Sequence, residues 1–127
     1  MNKQVVISEK APQAIGPYSA GIIAGNMVYT AGQLGIDRQT GEIVSGGIQE
    51  QTRMVLTNLK YILEEAGTSL DHVVKTTVFL KDVNEFGLMN EIYATFFVSN
   101  PPARSAVQVA RLPKDAAVMI EAVALLP

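Results

Sequence analysis

Residues 116–126 read Ala116-Ala117-Val118-Met119-Ile120-Glu121-Ala122-Val123-Ala124-Leu125-Leu126, an apolar run interrupted by one carboxylate. As a strand, it sends Ala117, Met119, Val123 and Leu125 to one face and Val118, Ile120, Ala122 and Ala124 to the other. Both faces are apolar, so this strand belongs to a sheet covered on both sides. An unpaired carboxylate is costly to bury, so Glu121 calls for a partner or a ligand. Upstream, Pro101-Pro102-Ala103-Arg104-Ser105 leads a guanidinium into a second apolar strand through a stiff, extended entry. The last quarter of the chain therefore carries one cation and one anion on a mostly apolar sheet, a pattern suited to a small anionic ligand.

Arg111 to Asp115 joins the two strands. If they form a hairpin around an even loop such as Pro113-Lys114, Leu112 pairs with Asp115 and Ala106 with Glu121. Arg104, Ala106 and Glu121 then share a face, whereas an odd loop sends Arg104 and Glu121 to opposite faces. The residues leave both registers open. Arg104 can pair with a surface carboxylate or capture a ligand carboxylate with both arms of its guanidinium. Glu121 can bridge to Arg104, pair with a cation of a neighbouring copy, or serve as a general base.

Outward from this segment the pattern alternates strands with two helices. Val5 to Ile7, Tyr18 to Ala24 and Met27 to Ala31 read as strands, the last two joined by the turn pair Gly25-Asn26. Gly32 to Gly47 is loop-rich, with a turn at Asp37 to Gly41. From Ile48 to Ala66, apolar positions Ile48, Val55, Leu59 and Ile62, together with Thr52 and widened by Leu56 and Leu63, predict a helix ended by Gly67. Val73 to Leu80 is β-branched and strand-like. Asp82 to Glu85 has the form of a capping box opening a second helix to about Val98, with Phe86, Asn90, Tyr93 and Phe97 on one face. Ser105 to Leu112 and Val118 to Leu126 complete an α+β fold, a mixed sheet with two helices packed on one face. Two helices cover one face only, so the other is expected to be buried against further copies of the chain.

The chain has 127 residues, 48% of them hydrophobic and 17% charged, which fits one domain over 1–127 with part of its surface hidden in an oligomer. A net charge of −2 without a basic run argues against nucleic acid as a partner. The absence of cysteine removes disulfides and thiolate chemistry, and the lone His72, beside Asp71, reads as a solvated cap rather than a metal ligand. No stretch reaches the roughly 20 apolar residues that span a membrane, and the expected location is cytoplasmic. The glycines match neither a P-loop nor a dinucleotide fingerprint. Tyr18 after Gly16-Pro17 can reach a pocket from a turn, or be an ordinary half-buried tyrosine. Gly32 can admit a ligand to a backbone N–H or simply turn the chain.

Pro102-Ala103-Arg104-Ser105-Ala106-Val107-Gln108-Val109-Ala110-Arg111-Leu112-Pro113-Lys114-Asp115, followed by Ile120-Glu121-Ala122, resembles the signature of the RidA/YjgF family. Ala14 to Ser19, Ala31-Gly32-Gln33, Asn58-Leu59 and Val74 to Phe79 extend that resemblance nearly end to end. The resemblance implies a chorismate-mutase-like fold, a homotrimer with clefts between subunits, and hydrolysis of reactive 2-imino (enamine) acids, without cofactor or metal. The substrates implied are 2-aminoacrylate and 2-iminobutanoate, released by pyridoxal-phosphate-dependent dehydratases, and the products are 2-keto acids and ammonia. It further implies that Arg104 binds the substrate carboxylate with help from the Gly32 N–H, and that Glu121 orients or activates water. Tyr18 and Asn90 would line the cleft, with backbone groups of Ala106 completing it. Many members of the family carry Cys where this chain has Ala106 and Ser where it has Ala31, so a thiol role does not transfer. A metabolite-binding regulator using the same cleft, and an endoribonuclease or translation inhibitor, are the alternative functions the resemblance allows.

Overall fold

The computed structural model describes residues 2–127. Its elements are β1 (Lys3–Val6), β2 (Gly21–Ala24), β3 (Met27–Thr30), β4 (Gln33–Leu34), α1 (Gly47–Ala66), β5 (Val73–Leu80), α2 (Phe86–Phe96), β6 (Ala103–Gln108) and β7 (Val118–Leu125). One sheet runs in the order β1-β2-β3-β7-β5-β6, and β4 continues past β3 to pair with β7. Among the described residues only β5 and β6 are parallel; every other pair is antiparallel, so the sheet is mixed.

Local chemistry explains most of these boundaries. The two-residue turn Gly25-Asn26 closes the β2–β3 hairpin with Ala24 opposite Met27, as expected from its sequence. Helix α1 stops at Gly67, whose φ of 96° lets its N–H and that of Thr68 return to the carbonyls of the last turn. Asp82 accepts a hydrogen bond from the Asn84 N–H at 2.9 Å, starting a short 3-10 turn that runs directly into α2. The expected extensions do not all form. Residues 18–20 lie outside the β2 strand, α2 ends at Phe96, and β6 ends at Gln108 instead of reaching Leu112.

The principal correction concerns β6 and β7. They do not form a hairpin, and neither the Ala106–Glu121 nor the Leu112–Asp115 strand pair exists, because β5 lies between the two strands. Residues Pro113–Asp115 instead form a 3-10 turn in which Lys114 and Asp115 take left-handed backbone angles. Across β6-β5-β7 the rows are Arg104-Thr76-Ala122, Ser105-Thr77-Glu121 and Ala106-Val78-Ile120. Residues in one row share a face and adjacent rows alternate. Arg104 and Ala106 therefore face the helices, while Glu121 faces away from them.

The helix-side face is the core. Val28, Val78, Leu80, Val118, Ile120, Ala122 and Ala124 pack beneath Val55, Leu56, Leu59 and Leu63 of α1 and Met89 and Tyr93 of α2. A bulge between Val73 and Lys75 brings Val73 to this buried side. Asn58, buried on α1, donates to the carbonyls of Leu34 and Ile36 at 3.2 and 3.0 Å and so anchors the segment after β4. The opposite face carries Val5, Tyr29, Val107 and Leu125, all exposed, together with half-buried Phe79, Met119 and Val123. This is the uncovered apolar face anticipated from the β7 pattern. Glu121 lies on it and is half-buried instead of fully buried.

One core group lacks its match. Among the described residues Thr52, in the buried stripe of α1, has no hydrogen-bond partner for its hydroxyl. Replacing that hydroxyl by a methyl removes an unmet desolvation penalty, so Thr52→Val is expected to stabilise the chain by about 1 kcal/mol. Thermal unfolding should show a rise of about 3–5 °C, and a lower Tm than wild type would contradict the assignment.

Candidate active site

Arg104 sits on the outer strand of the sheet, on its helix side, and α2 meets it there. Phe86, Asn90 and Tyr93 are four and three residues apart, which stacks them on one helical stripe. Arg104 Nη1 donates to Asn90 Oδ1 at 2.8 Å. The guanidinium carbon lies 4.7 Å from the Tyr93 ring centre and 5.1 Å from that of Phe86. Among the described residues the ion pairs are Glu50–Arg53 and Lys81–Asp115, so no carboxylate lies within 4.0 Å of Arg104. Its surroundings orient the charge without neutralising it, which is the state an anion-binding group requires. The outer edge of β6, including Ala106, pairs with no other strand among the described residues, so its backbone is available to a ligand.

Tyr93 is itself firmly held. It is 5% exposed, its hydroxyl lies 2.7 Å from Thr76 Oγ1, and its ring packs on Phe97 at 4.7 Å between centres. Thr76 is the residue directly opposite Arg104 across β5–β6, so the contacts close a loop from strand to helix and back.

A second group gathers on the uncovered side. Between the pairs Tyr29–Val123 and Gln33–Ile120, three residues (Thr30, Ala31, Gly32) oppose two (Glu121, Ala122), which defines a bulge. Thr30 Oγ1 fills the gap by accepting the Ala122 N–H at 3.0 Å. Gly32 lies against Met119: a Cβ there would meet the Met119 sulfur at 2.8 Å. Tyr18 and Gly32 line a cleft of about 600 Å³ with Ile15, Gln33, Lys114 and Met119. Tyr18 lies on the turn after Gly16 and is 53% exposed, with its hydroxyl accepting from the Ile15 N–H at 3.4 Å. Glu121 follows Met119 by two residues on the same face, next to the bulge.

The residues singled out from the sequence are thus not all brought together. Arg104, Asn90 and the β6 edge at Ala106 are brought together on one side. Tyr18 and Gly32 share a cleft that Glu121 does not line, and Glu121 lies on the sheet face opposite Arg104. The simple bridge from Arg104 to Glu121 does not form within the chain. Phe86, Tyr93 and Thr76 were not anticipated as site residues, although the aromatic stripe of α2 was the signal that held them. Among the described residues no three His, Asp or Glu side chains gather into a metal-binding cluster.

Burial is the largest influence on the Tyr93 phenol and raises its pKa above the usual 10.0; the Thr76 hydrogen bond and the Arg104 charge pull the other way without cancelling it. The unfolded chain therefore releases this proton first as pH rises. The stability Tyr93 contributes is complete below about pH 10 and is lost as pH climbs through its folded-state pKa. Tyr93→Phe, which cannot ionise, is expected to lose less stability between pH 9 and about 11 than wild type in urea unfolding. Parallel declines would show that this phenol does not contribute.

Known proteins match this chain over nearly its whole length. A family profile described as Endoribonuclease L-PSP matches residues 8–126. A RutC family protein of Pyrococcus abyssi is 56% identical over 124 residues, covering 98% of each chain. The 2-iminobutanoate/2-iminopropanoate deaminase of Homo sapiens is 48% identical over 123 residues, covering 97% of this chain and 90% of that protein. The crystal structure of Escherichia coli TdcF with bound serine superposes with a TM-score of 0.92 at 46% identity, covering 96% and 98% of the two chains. The two-helix mixed sheet, the arginine-bearing motif at Arg104 and these matches over nearly the whole length place this chain in the RidA/YjgF family, also known as the L-PSP family.

Proposed function

We propose that this protein hydrolyses short reactive 2-imino acids to 2-keto acids and ammonia, in clefts completed between copies of a homotrimer. The observation that carries this reading is the Arg104 guanidinium, fixed by neutral groups and unpaired with any carboxylate among the described residues. The human relative that bears the imine deaminase name supports the choice of reaction. A related chain crystallised with serine supports an amino-acid-sized ligand.

In this reading Arg104 takes the substrate carboxylate. Water adds through its oxygen to the carbon of the protonated imine, Glu121 accepts a proton from that water and returns it to the nitrogen of the adduct, and the C–N bond breaks as the adduct's hydroxyl gives up its proton. The nitrogen leaves as ammonia and the carbon is left as a ketone. A protonated imine is already electrophilic, so positioning and one base account for the catalysis required. Because Arg104 and Glu121 lie on opposite faces of one sheet, a working cleft draws Arg104, Asn90 and the Ala106 edge from one copy. Tyr18, Gly32 and Glu121 then come from another. The uncovered apolar face supplies the surface through which copies associate.

Arg104→Ala is expected to lower kcat/KM for imine hydrolysis by on the order of 100-fold or more, with the assembled mass by light scattering unchanged. Ammonia release equal to wild type, in an assay coupled to a threonine dehydratase, would refute the assignment. Glu121→Gln separates this activity from a purely ligand-sensing role. A deaminase loses turnover in that variant while still binding 2-oxobutanoate. A regulator that never turns substrate over shows no catalytic loss to measure.

A further inference from the structure

Arg104 on an edge strand would ordinarily sweep through many rotamers, because an arginine side chain has several soft torsions and solvent on its outer side. Three contacts with α2 restrain it: the Asn90 hydrogen bond at 2.8 Å and the Tyr93 and Phe86 rings at 4.7 and 5.1 Å. None of the three carries a negative charge. A carboxylate in their place would hold the arginine equally well but would compete with an incoming anion. Aromatic faces attract a cation and leave its in-plane N–H donors pointing outward. Tyr93 is the more deeply anchored of the two rings, tied to Thr76 at 2.7 Å and stacked on Phe97.

We propose that Tyr93, seconded by Phe86, is a positioning residue that presents the Arg104 guanidinium to the carboxylate of the substrate through the face of its ring. The inference rests on the imino-acid reading for the identity of the substrate, but its physical content is the capture of a small carboxylate by Arg104. The ring acts on anion affinity. The Tyr93 hydroxyl, engaged with Thr76, acts on stability.

The test measures 2-oxobutanoate affinity by calorimetry and imine-hydrolysis kinetics in the full-length protein and in Tyr93→Leu, Tyr93→Phe and Phe86→Leu. Tyr93→Leu is expected to weaken keto-acid binding about tenfold and raise KM in proportion, with kcat changed by less than about threefold. Tyr93→Phe keeps the ring and is expected to restore most of that affinity, while its Tm falls with the lost Thr76 bond. Phe86→Leu, at a half-buried position that is easier to alter, is expected to weaken binding about threefold. Wild-type affinity in both leucine variants overturns the proposal. So does a Tyr93→Phe variant as weak as Tyr93→Leu, because the hydroxyl would then be the active part. If wild type binds 2-oxobutanoate and the leucine variants weaken it, but no imine is hydrolysed, the positioning role stands and the deaminase reading falls.

Discussion

The parallel pairing of β5 with β6 is the constraint on which the rest depends. Parallel neighbours cannot be joined by a tight turn; the chain must leave the sheet, cross one face and return. Here the crossing is α2, and its apolar stripe can be buried only by lying on the sheet beside α1. That landing sets Phe86, Asn90 and Tyr93 over the helix-side position of β6 occupied by Arg104. With β6 taking one edge of β5, the other edge is left for β7. Which face each polar residue reaches follows from those two pairings, and Glu121 falls on the side opposite Arg104.

The sheet therefore has a dry side and an unfinished side. The dry side is closed by mostly aliphatic residues beneath the helices, with the Arg104 charge at its outer strand. On the unfinished side, apolar Phe79, Met119, Val123 and Tyr29 surround a narrower polar row, Ser105, Thr77 and Glu121, with Lys75 donating to Ser105 at 3.2 Å. Such a surface is unfavourable in water, yet it is not a core in waiting either. Its polar row needs hydration or a polar partner wherever another surface covers it.

Elements governed by local chemistry were legible in the sequence. The Gly25-Asn26 hairpin, α1 with its stop at Gly67, and the face shared by Phe86, Asn90 and Tyr93 each follow from contacts only a few residues apart. The alternation of β7 also revealed that one sheet face would lie open. What could not be read was long-range. Proximity in sequence favoured a β6–β7 hairpin, and no local signal announced that β5 would enter between them. Strand β4 was missed because two residues carry no periodicity; its existence depends on pairing with β7. For the site, residue types were readable but their division between two faces was not, since a register is a property of the assembled sheet. In the single chain Glu121 is half-buried, because an apolar strand shields its polar residue only where something covers that face.

The separation of Arg104 from Glu121 has a thermodynamic corollary. Within one chain the two side chains share no partner, and a layer of backbone stands between them. Perturbations at the two positions therefore add in the free energy of unfolding of a single chain. A bound anion that touches both residues breaks that independence. If the proposed two-copy cleft forms, coupling energy between them in ligand binding measures contact across a boundary between molecules.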